Sequence, residues 1–479
     1  MNKILRSVII LLSVGSLVLL FGITVNSCGK VVEETTTTLI PTTTTSTNTT
    51  STTLPQAAAP TFVLAPGTYE TNSTLNITIE TATAGVNIYY TLDGTDPTSA
   101  STAYSGPFTI STCKTVKALA TKSGLTNSAI STANYEIWWW QPLGSGIAGG
   151  TSSYVSALAT DIAGNLYAGA DFTSAGGVPV NNIAKWNGSS WVALGAGVSG
   201  GTNNMVYTII SDNSGKIYVG GDFTTAGVTP ANNIGVWDGA TWSTLGTGLD
   251  NTVYALAIDN SGNLYAGGGF SNAGGNPASK VAKWNGSSWE ALGGGINGTV
   301  YALCLDHSGN LYAGGPFISA EGRTVNHIAK WNGTSWEALG SGVGDHVNGL
   351  TFDGSNNLYA GGTFTIAGGT AAKGIAKWNG ISWSAMNTGT ALDQFIYSNL
   401  ITDGAATIYV GGGFITAEGI TVNHIARWNG SSWSALGTGA NDYVYSLVRD
   451  TSGTIYAGGY FSAAGGIPAN EVAKWGKKL

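Results

Sequence analysis

The stretch Val253–Gly293, VYALAIDNSGNLYAGGGFSNAGGNPASKVAKWNGSSWEALG, decides the fold of this chain. It holds four short β-prone segments, which are Val253–Asp259, Asn263–Gly268, Lys280–Trp284 and Ser288–Gly293. Asp259–Gly262 separates the first segment from the second, and Asn285-Gly286 separates the third from the fourth. Both are hairpin-turn signals. The stretch therefore predicts a four-stranded antiparallel sheet.

The same unit occurs seven times along the chain. The tyrosine of its second segment recurs as Tyr167, Tyr218, Tyr265, Tyr312, Tyr359, Tyr409 and Tyr456. Four strands in a repeat of about 40 to 50 residues, apolar on both faces, are typical of a β-propeller blade. We therefore expect an all-β chain in which residues 137–479 form a seven-bladed β-propeller.

The two ends of the repeat region predict how the ring closes. The seventh copy ends at Trp475 without a fourth segment, whereas Trp140–Gly146, before the first copy, matches the Trp-x-Ala-Leu-Gly-x-Gly of every fourth segment. Pro142 replaces the alanine, and proline is tolerated on an outer edge strand. The first strand of the domain is therefore expected to complete the last blade.

Composition excludes one class of partner. Charged residues make up 9% of the chain, the formal net charge is -7, and no run of Lys and Arg occurs beyond Lys477-Lys478. A nucleic-acid backbone needs a basic footprint, so nucleic acid is not an expected partner.

The N-terminus predicts export. An apolar run extends from Val8 to Val25 after a short basic start, as in a signal peptide or an uncleaved anchor. Val25–Cys28 resembles the lipobox of bacterial lipoproteins, which implies removal of residues 1–27 and lipidation of Cys28. The membrane would then be a partner, and the protein would be lipid-anchored outside the cytoplasm in a bacterial cell envelope. An ordinary export signal or one spanning helix is the alternative.

Residues 28–58 are dominated by Thr, Ser and Pro and contain too little apolar surface to fold. We interpret them as a disordered stalk that reaches at most about 100 Å when fully extended.

Residues 59–136 predict a small β-sandwich. The β-prone segments are Leu75–Glu80, Asn87–Thr91, Phe108–Ser111 and Thr115–Ala120. The motifs Pro66–Tyr69, Ile88–Thr98, Tyr104–Pro107 and Val116–Ala118 resemble the chitobiase/β-hexosaminidase C-terminal family. That resemblance implies an accessory, carbohydrate-associated module without catalytic residues. Asp93 and Asp96 are expected to close the turn that contains them.

The repeat motif itself also carries a resemblance. Phe-Thr-x-Ala-Gly-Gly followed by Asn-x-Ile-Ala-Lys-Trp-Asn-Gly-Ser-Ser-Trp resembles propeller repeats of secreted bacterial proteins and of the fungal cortical cell-polarity marker family. The resemblance implies an architecture and no particular chemistry.

Residues present in every copy are expected to be structural. The paired tryptophans of each repeat should stack across the last hairpin, and an exposed sugar-stacking platform is the alternative. Asp161, Asp212, Asp259, Asp306, Asp353, Asp403 and Asp450 lie in or beside the first turn of each copy, where turn closure is favoured over a calcium site. No cofactor is predicted, and calcium remains the weak alternative.

Residues that break the repeat are the candidate ligand contacts. They lie on the connections between the second and third strands and between blades, which are longer and more varied than the other turns. The candidates are Glu321, Arg323, His327, Asp345, His346, Glu418 and His424. Copies four and six share their Glu and His, so common ancestry of two repeats is an alternative explanation. A metal is not predicted, because the ligands come from blades that are not neighbours.

Two function classes remain open. The favoured hypothesis is a monomeric, non-enzymatic binding or scaffold protein for a glycan or a protein ligand. The alternative is a carbohydrate-active enzyme, a glycoside hydrolase or lyase, with its site at the mouth of the propeller. The remaining cysteines, Cys113 and Cys304, fall in different predicted domains and are expected to stay unpaired.

Overall fold

The computed structural model describes residues 54–151, 154–386 and 392–479 in full. Of the first 53 residues it gives only the backbone of four short strands, Ile10–Ser13, Val18–Phe21, Ile23–Val25 and Val31–Glu33. Cys28 and most of the predicted stalk therefore lie outside the described residues. Within the described part of the chain, no helix combines the length and the hydropathy that a membrane span requires.

The chain divides into two units, residues 1–138 with Lys477–Leu479, and Trp139–Gly476. The described strands of the first unit belong to short antiparallel pairs and one larger sheet in which Gly67–Glu70 runs parallel to its partner. They are Thr61–Phe62, Gly67–Glu70, Leu75–Ile77, Ile79–Glu80, Asn87–Thr91, Thr102–Ala103, Phe108–Ile110, Lys114–Thr121 and the beginning of Ser131–Pro142.

The first unit packs these strands around a core of its own. Ile77, Val116, Tyr135 and Ile137 are fully buried in it. The strands agree with the predicted segments to within a few residues, because alternating apolar side chains fix which face turns inward.

Asp93 and Asp96 take different roles in the turn that they share. Asp93 accepts a hydrogen bond from the Thr95 amide at 3.0 Å and so closes the turn as predicted. Asp96 instead pairs with Lys117, with 2.7 Å between Oδ1 and Nζ. The expectation that both carboxylates cap backbone groups was therefore wrong for Asp96.

In the second unit, the described residues form seven sets of four antiparallel strands. The first strands are Val155–Thr160, Met205–Ser211, Val253–Ile258, Ala302–Leu305, Val347–Phe352, Ile401–Thr402 and Val444–Arg449. The second strands are Leu166–Ala170, Ile217–Asp222, Leu264–Gly268, Leu311–Gly314, Leu358–Gly362, Ile408–Gly411 and Ile455–Gly459. First strands of consecutive sets contact one another around a closed ring, so that each set is one blade of a propeller.

The third and fourth strands complete each blade. The third strands are Ile183–Trp186, Ile234–Trp237, Val281–Trp284, Ile328–Trp331, Ile375–Trp378, Ile425–Trp428 and Val472–Lys477. The fourth strands are Trp191–Ala193, Trp242–Ser243, Trp289–Ala291, Trp336–Ala338, Trp383–Ala385 and Trp433–Ala435. In blade seven the fourth place is taken by the end of the strand Ser131–Pro142.

The tryptophans explain why this closure is stable. In blades one to five the indole of the fourth-strand tryptophan donates to a leucine carbonyl just beyond the fourth strand of the preceding blade, as Trp191 does to Leu143 at 2.9 Å. Trp140 makes the same bond to Leu436 at 2.8 Å and lies 5.7 Å from the Trp475 ring centroid. The strand at the start of the domain thus repeats the contacts of an ordinary fourth strand, and the predicted closure is confirmed.

One face of the propeller carries the turns between first and second strands and between third and fourth strands. We call it the turn face. Asp353 shows how its aspartates act, since Oδ1 accepts from the Ser355 and Asn357 amides at 2.9 Å and Oδ2 accepts from the Tyr359 hydroxyl at 3.2 Å. The predicted turn-closing role of these aspartates is confirmed.

The opposite face, which we call the loop face, is more regular than the sequence indicated. Each connection between the second and third strands forms a small hairpin, and Gly274, for example, donates to Gly248 of the preceding interblade connection at 2.8 Å. The hairpin strands are Ser174–Ala175 with Val178–Pro179, Thr225–Ala226 with Thr229–Pro230, Asn272–Ala273 with Asn276–Pro277, Ser319–Ala320 with Arg323–Thr324, Ile366–Ala367 with Thr370–Ala371, Thr416–Ala417 with Ile420–Thr421, and Ala463–Ala464 with Ile467–Pro468. Variation on this face therefore lies mainly in side chains.

Candidate functional site

The first strands surround a cavity of about 680 Å³ on the propeller axis, which we call the axial cavity. Residues of all seven blades line it. They are Tyr154, Ser156, Ala157, Leu158, Tyr207, Thr208, Ile209, Ile210, Tyr254, Ala255, Leu256, Tyr301, Leu303, Asn348, Leu350, Tyr397, Asn399, Leu400, Tyr445 and Ser446. These lining residues combine aromatic, apolar and neutral polar groups and include no ionisable side chain other than tyrosine.

A β-bulge places Tyr207, Tyr254 and Tyr445 at the cavity. The pairing of the first two strands shifts between Val206 and Thr208 and between Val253 and Ala255, so that Tyr207 and Tyr254 fall at the irregularity. A bulge leaves one residue unpaired and redirects its side chain. These bulges lie at the beginning of the first strand, which is its loop-face end, so the tyrosines line the loop-face end of the cavity.

The tyrosines form two aromatic arcs around this end. In one arc, the ring of Tyr254 lies 4.8 Å from that of Tyr207 and 5.3 Å from that of Tyr301, measured between centroids. In the other, Tyr445 lies 5.0 Å from Tyr154. We call Tyr154, Tyr207, Tyr254, Tyr301, Tyr397 and Tyr445 the tyrosine ring. The ring was not predicted from the sequence, although the Val-Tyr of the first segment recurs in several copies.

Burial raises the pKa of two phenols of the ring, those of Tyr207 and Tyr445. It is the largest cause that raises the pKa of Tyr207 and of Tyr445 to about 12, and neighbouring tyrosines and carboxylates add to the effect. Neutral hydroxyls both donate and accept hydrogen bonds. The ring therefore offers aromatic faces together with uncharged hydrogen-bonding groups.

Two asparagines near the cavity join neighbouring blades. Asn348 Nδ2 donates to the Ile396 carbonyl at 2.9 Å, and Asn399 Nδ2 donates to the Leu447 carbonyl at 2.8 Å. Each bond links the inner strand region of one blade to that of the next. These side chains thus support the cavity wall.

Three of the sequence-predicted ligand residues come together beside the tyrosine ring. His346 Nε2 lies 3.4 Å from Asp345 Oδ1, and the His346 ring lies 5.9 Å from His327 and 6.4 Å from Tyr301 between centroids. Burial is the largest cause that lowers the pKa of His327, opposed by its contact with the Gly315 carbonyl. His424 lies separately, 5.7 Å from the Tyr443 ring.

The structure places the other predicted residues differently. The Glu321 carboxylate accepts from the Gly294 amide at 3.0 Å and from the Trp336 amide at 3.3 Å, and the Arg323 guanidinium contacts the Trp336 carbonyl. Both side chains therefore lie against the outermost strand of blade four, and not with His327. Glu418 occupies the corresponding place in blade six.

His327 and His424 share a position that varies from blade to blade. It directly precedes each third strand, and six of its occupants have a positive non-glycine φ while blade five has glycine. The occupants are Asn182, Asn233, Lys280, His327, Gly374, His424 and Glu471. We call this the variable position. Aligning the repeats column by column would have revealed it, because it follows an otherwise regular hairpin.

No metal centre accompanies these residues. Among the residues that the structure describes, no group of three or more His, Cys, Asp or Glu side chains is close enough to hold a metal ion. Cys113 and Cys304 are both unpaired.

Comparison with known families finds one match. Residues 64–132 match the family model of the Chitobiase/beta-hexosaminidase C-terminal domain. The match concerns one domain within the first unit. Comparison with curated proteins finds no match.

Solved structures of similar fold include propellers. The extracellular domain of the one component system BT4673 from B. thetaiotaomicron has a TM-score of 0.46 and 14% identity, covering 70% of this chain and 39% of that one. This chain thus spans about two fifths of that neighbour. The WD40 beta propeller domain of Doa1 has a TM-score of 0.41 and 14% identity, covering 70% of this chain and 96% of that one. YCF48 from Cyanidioschyzon merolae also has a TM-score of 0.41 and 14% identity, covering 70% and 98%.

The fold class predicted from the sequence, all-β with a β-propeller and a small β-sandwich, is confirmed by the strand topology and by the family match of residues 64–132. The resemblance of the repeat motif to the fungal cell-polarity marker family stays a prediction.

Proposed function

We propose that this chain is an extracytoplasmic binding protein that takes an uncharged glycan into the loop-face end of its axial cavity. The observation that carries the proposal is the tyrosine ring around a cavity without charged lining residues. The volume of about 680 Å³ falls in the range of small-ligand sites, about 300–1,000 Å³.

The chemistry of the ring suits a sugar. The C–H faces of a pyranose stack on aromatic rings, and its hydroxyls exchange hydrogen bonds with phenols, serine and asparagine. An ionic ligand would lose hydration in the cavity without gaining an opposite charge there. The ring therefore favours neutral ligands over charged ones.

The first unit gives independent support for a carbohydrate ligand. Its match to the Chitobiase/beta-hexosaminidase C-terminal domain covers residues 64–132. Domains of that family accompany carbohydrate-active proteins, as the sequence resemblance already implied. A glycan ligand accounts for both units with one class of molecule.

A glycan array tests the proposal directly, using the mature chain and its Tyr254→Ala and Tyr254→Phe variants. We expect Tyr254→Ala to weaken binding at least about tenfold, because a buried aromatic contact contributes more than about 1 kcal/mol. Tyr254→Phe should lose less, since it keeps the stacking face. Val228→Ala, on the exposed loop-face hairpin of blade two, is the matched control.

The enzymatic alternative is decided on the same glycans. If the protein releases reducing sugar from a glycan that binds, and Tyr254→Ala lowers this release, a purely binding role is contradicted. If no glycan on the array binds, and a protein ligand binds with an affinity that Tyr254→Ala weakens, the ligand of the cavity is a protein and not a glycan.

Export and anchoring are further parts of the proposal. The apolar run before Cys28 and the Thr-rich segment after it support a lipid-anchored protein raised on a stalk. Acyl chains contribute about 0.8 kcal/mol per buried CH₂, so two or more chains hold a protein at a membrane. Cys28→Ala should release the protein from the detergent phase. Unchanged processing and partitioning would indicate a plain signal or a spanning anchor.

A further inference from the structure

Two interfaces between neighbouring blades carry the same aromatic arrangement. Between blades four and five, the rings of His327 and His346 lie 5.9 Å apart, measured between centroids. Between blades six and seven, the rings of His424 and Tyr443 lie 5.7 Å apart. Each pair joins the variable position of one blade to the residue directly before the first strand of the next blade. We call them the outer pairs.

The backbone orients the first member of each outer pair in the same way. His327 Nδ1 lies 3.3 Å from the Gly315 carbonyl oxygen. The corresponding distance from His424 Nδ1 to the Gly412 carbonyl oxygen is also 3.3 Å. Because a carbonyl oxygen only accepts, each neutral imidazole carries its proton on Nδ1 and has Nε2 as an acceptor.

An aspartate fixes the backbone of the second member. Asp345 Oδ1 accepts a hydrogen bond from the His346 amide at 2.8 Å. Asp442 Oδ1 accepts from the Tyr443 amide at the same distance of 2.8 Å. The two interfaces therefore repeat the whole arrangement and not only one histidine.

Other interfaces show that the scaffold does not require an aromatic pair. In blade three, Asn251 Oδ1 accepts from the Thr252 amide at 2.7 Å, so the same backbone contact forms before a threonine. In blade four the corresponding place holds Thr299. The variable positions beside these threonines hold Asn233 and Lys280. Packing of the blades thus leaves the two outer pairs unexplained.

Both outer pairs continue the tyrosine ring beyond the mouth of the cavity. The His346 ring lies 6.4 Å from Tyr301, and the Tyr443 ring lies 6.1 Å from Tyr445 and 6.0 Å from Tyr397. No member of an outer pair lines the axial cavity itself. The His346 side chain is 44% exposed, so that a ligand on the loop face can reach it.

We propose that the outer pairs are two sugar subsites, and that the ligand is a neutral oligosaccharide that crosses the loop face from one pair, over the axial cavity, to the other. This inference rests on the proposed glycan function and adds the size of the ligand to it. Each ring offers a face for the C–H groups of a sugar, and the imidazole nitrogens accept bonds from its hydroxyls. The affinity therefore rises with the number of sugar units.

The test is an array on which neutral glycans, including chitin, cellulose and mannan oligosaccharides, are printed as series from one to six units. We expect the mature chain to bind the hexasaccharide of a series at least about tenfold more tightly than the disaccharide. His327→Asn and His424→Asn should each lower the hexasaccharide affinity about three- to tenfold, and the disaccharide affinity less. Both variants should fold, because Asn182 has φ 63° at the variable position of blade one, against 69° for both histidines.

The second members of the outer pairs give an independent check. His346→Ala and Tyr443→Ala should lower the hexasaccharide affinity by a similar factor. Thr299→Ala, at the corresponding place in blade four, is the matched control and should leave both affinities unchanged. Tyr254→Ala should instead weaken binding at every length, because this side chain lies in the cavity.

Three results would overturn the inference while the glycan function stands. The first is equal affinity of the wild type for disaccharide and hexasaccharide. The second is a set of outer-pair variants that fold, as their melting curves show, and lower both affinities by the same factor or lower neither. The third is an effect confined to one pair, which contradicts a chain that crosses the face. Binding of no glycan at any length would contradict the proposed function itself, and this inference with it.

Discussion

The turn face and the loop face of the propeller are built from the same repeat but use it in opposite ways. On the turn face, side chains such as Asp353 are part of the fold, since they accept hydrogen bonds from the backbone of their own turn. On the loop face the backbone hairpins repeat, while the variable position holds residues as different as Asn182, Lys280 and Glu471. The comparison teaches that a regular backbone frees one set of side chains to differ between blades.

The largest expected effect tests the scaffold that both faces share. Trp140→Ala should lower the free energy of unfolding by about 3–5 kcal/mol, because it removes a buried indole and its bond to Leu436. Trp191→Ala removes the equivalent contacts in blade one and is the matched control. Urea denaturation measures both. A loss below about 1 kcal/mol for Trp140→Ala would contradict closure of the ring by this strand.

Most of the fold could be predicted from the sequence, since repetition gives the same local signals seven times. Asn-Gly turns, alternating apolar residues and the incomplete copy ending at Trp475 are local features, and each translates into one strand or turn. The loop-face hairpins could not be predicted. Their strands are two residues long, such as Asn272–Ala273, too short for any periodic pattern.

A turn-face substitution should have the next largest effect. Asp353→Ala removes an acceptor for two amides, the Asn357 side chain and the Tyr359 hydroxyl, so we expect a loss of about 2–3 kcal/mol. Burial alone would raise the pKa of Asp353, but hydrogen bonds outweigh it and hold the pKa below its ordinary value. The contribution of Asp353 is therefore present at neutral pH and lost as the pH falls below about 4.

Chemical denaturation at pH 7 and at pH 3 checks this prediction. The difference between wild type and Asp353→Ala should be smaller at pH 3. A difference that grows on acidification would contradict the turn-closing role of the carboxylate.

Glu471→Gln should have a smaller effect of the opposite sign, a stabilisation of about 1 kcal/mol at pH 8, since the residue is only partly buried. The folded pKa of about 7 lies above the ordinary value of 4.5. The protonated glutamate therefore contributes fully below about pH 4.5, and this contribution is lost as the pH rises through about 7. Asp442 and Tyr460 are the other titratable groups that line the same surface cleft as Glu471.

Melting temperatures between pH 4.5 and pH 8 measure this effect. The advantage of Glu471→Gln should grow as the pH rises over that range. A constant or shrinking advantage would show that Glu471 is not the group that titrates.

The smallest effect is expected at an exposed loop-face side chain. The Asp345 side chain is 51% exposed, and its contact with His346 is open to solvent. Such pairs contribute about 0–1 kcal/mol, so Asp345→Ala should change stability by less than about 0.5 kcal/mol. A loss comparable to that of Asp353→Ala would remove the contrast between the two faces.

The candidate site was only partly predictable. The sequence pointed to the loop-face connections because they vary, and the structure brings His327, Asp345 and His346 together there. The sequence alone could not show that Glu321 binds backbone amides of neighbouring residues and is not free to contact a ligand. The tyrosine ring could not be predicted, because a residue that repeats in most copies is ordinarily a core residue. Only the structure shows the bulge that turns a tyrosine such as Tyr254 toward the cavity.

One measurement tests the central claim most directly, namely that the loop-face end of the axial cavity is the ligand site. The affinity of the best glycan from the array is measured for wild type, Tyr254→Ala, Tyr301→Ala and the turn-face variant Ser261→Ala. We predict at least about a tenfold loss for each tyrosine variant, with melting temperatures close to wild type, and unchanged affinity for Ser261→Ala. Unchanged affinity in both tyrosine variants, or a loss in Ser261→Ala alone, would contradict the account.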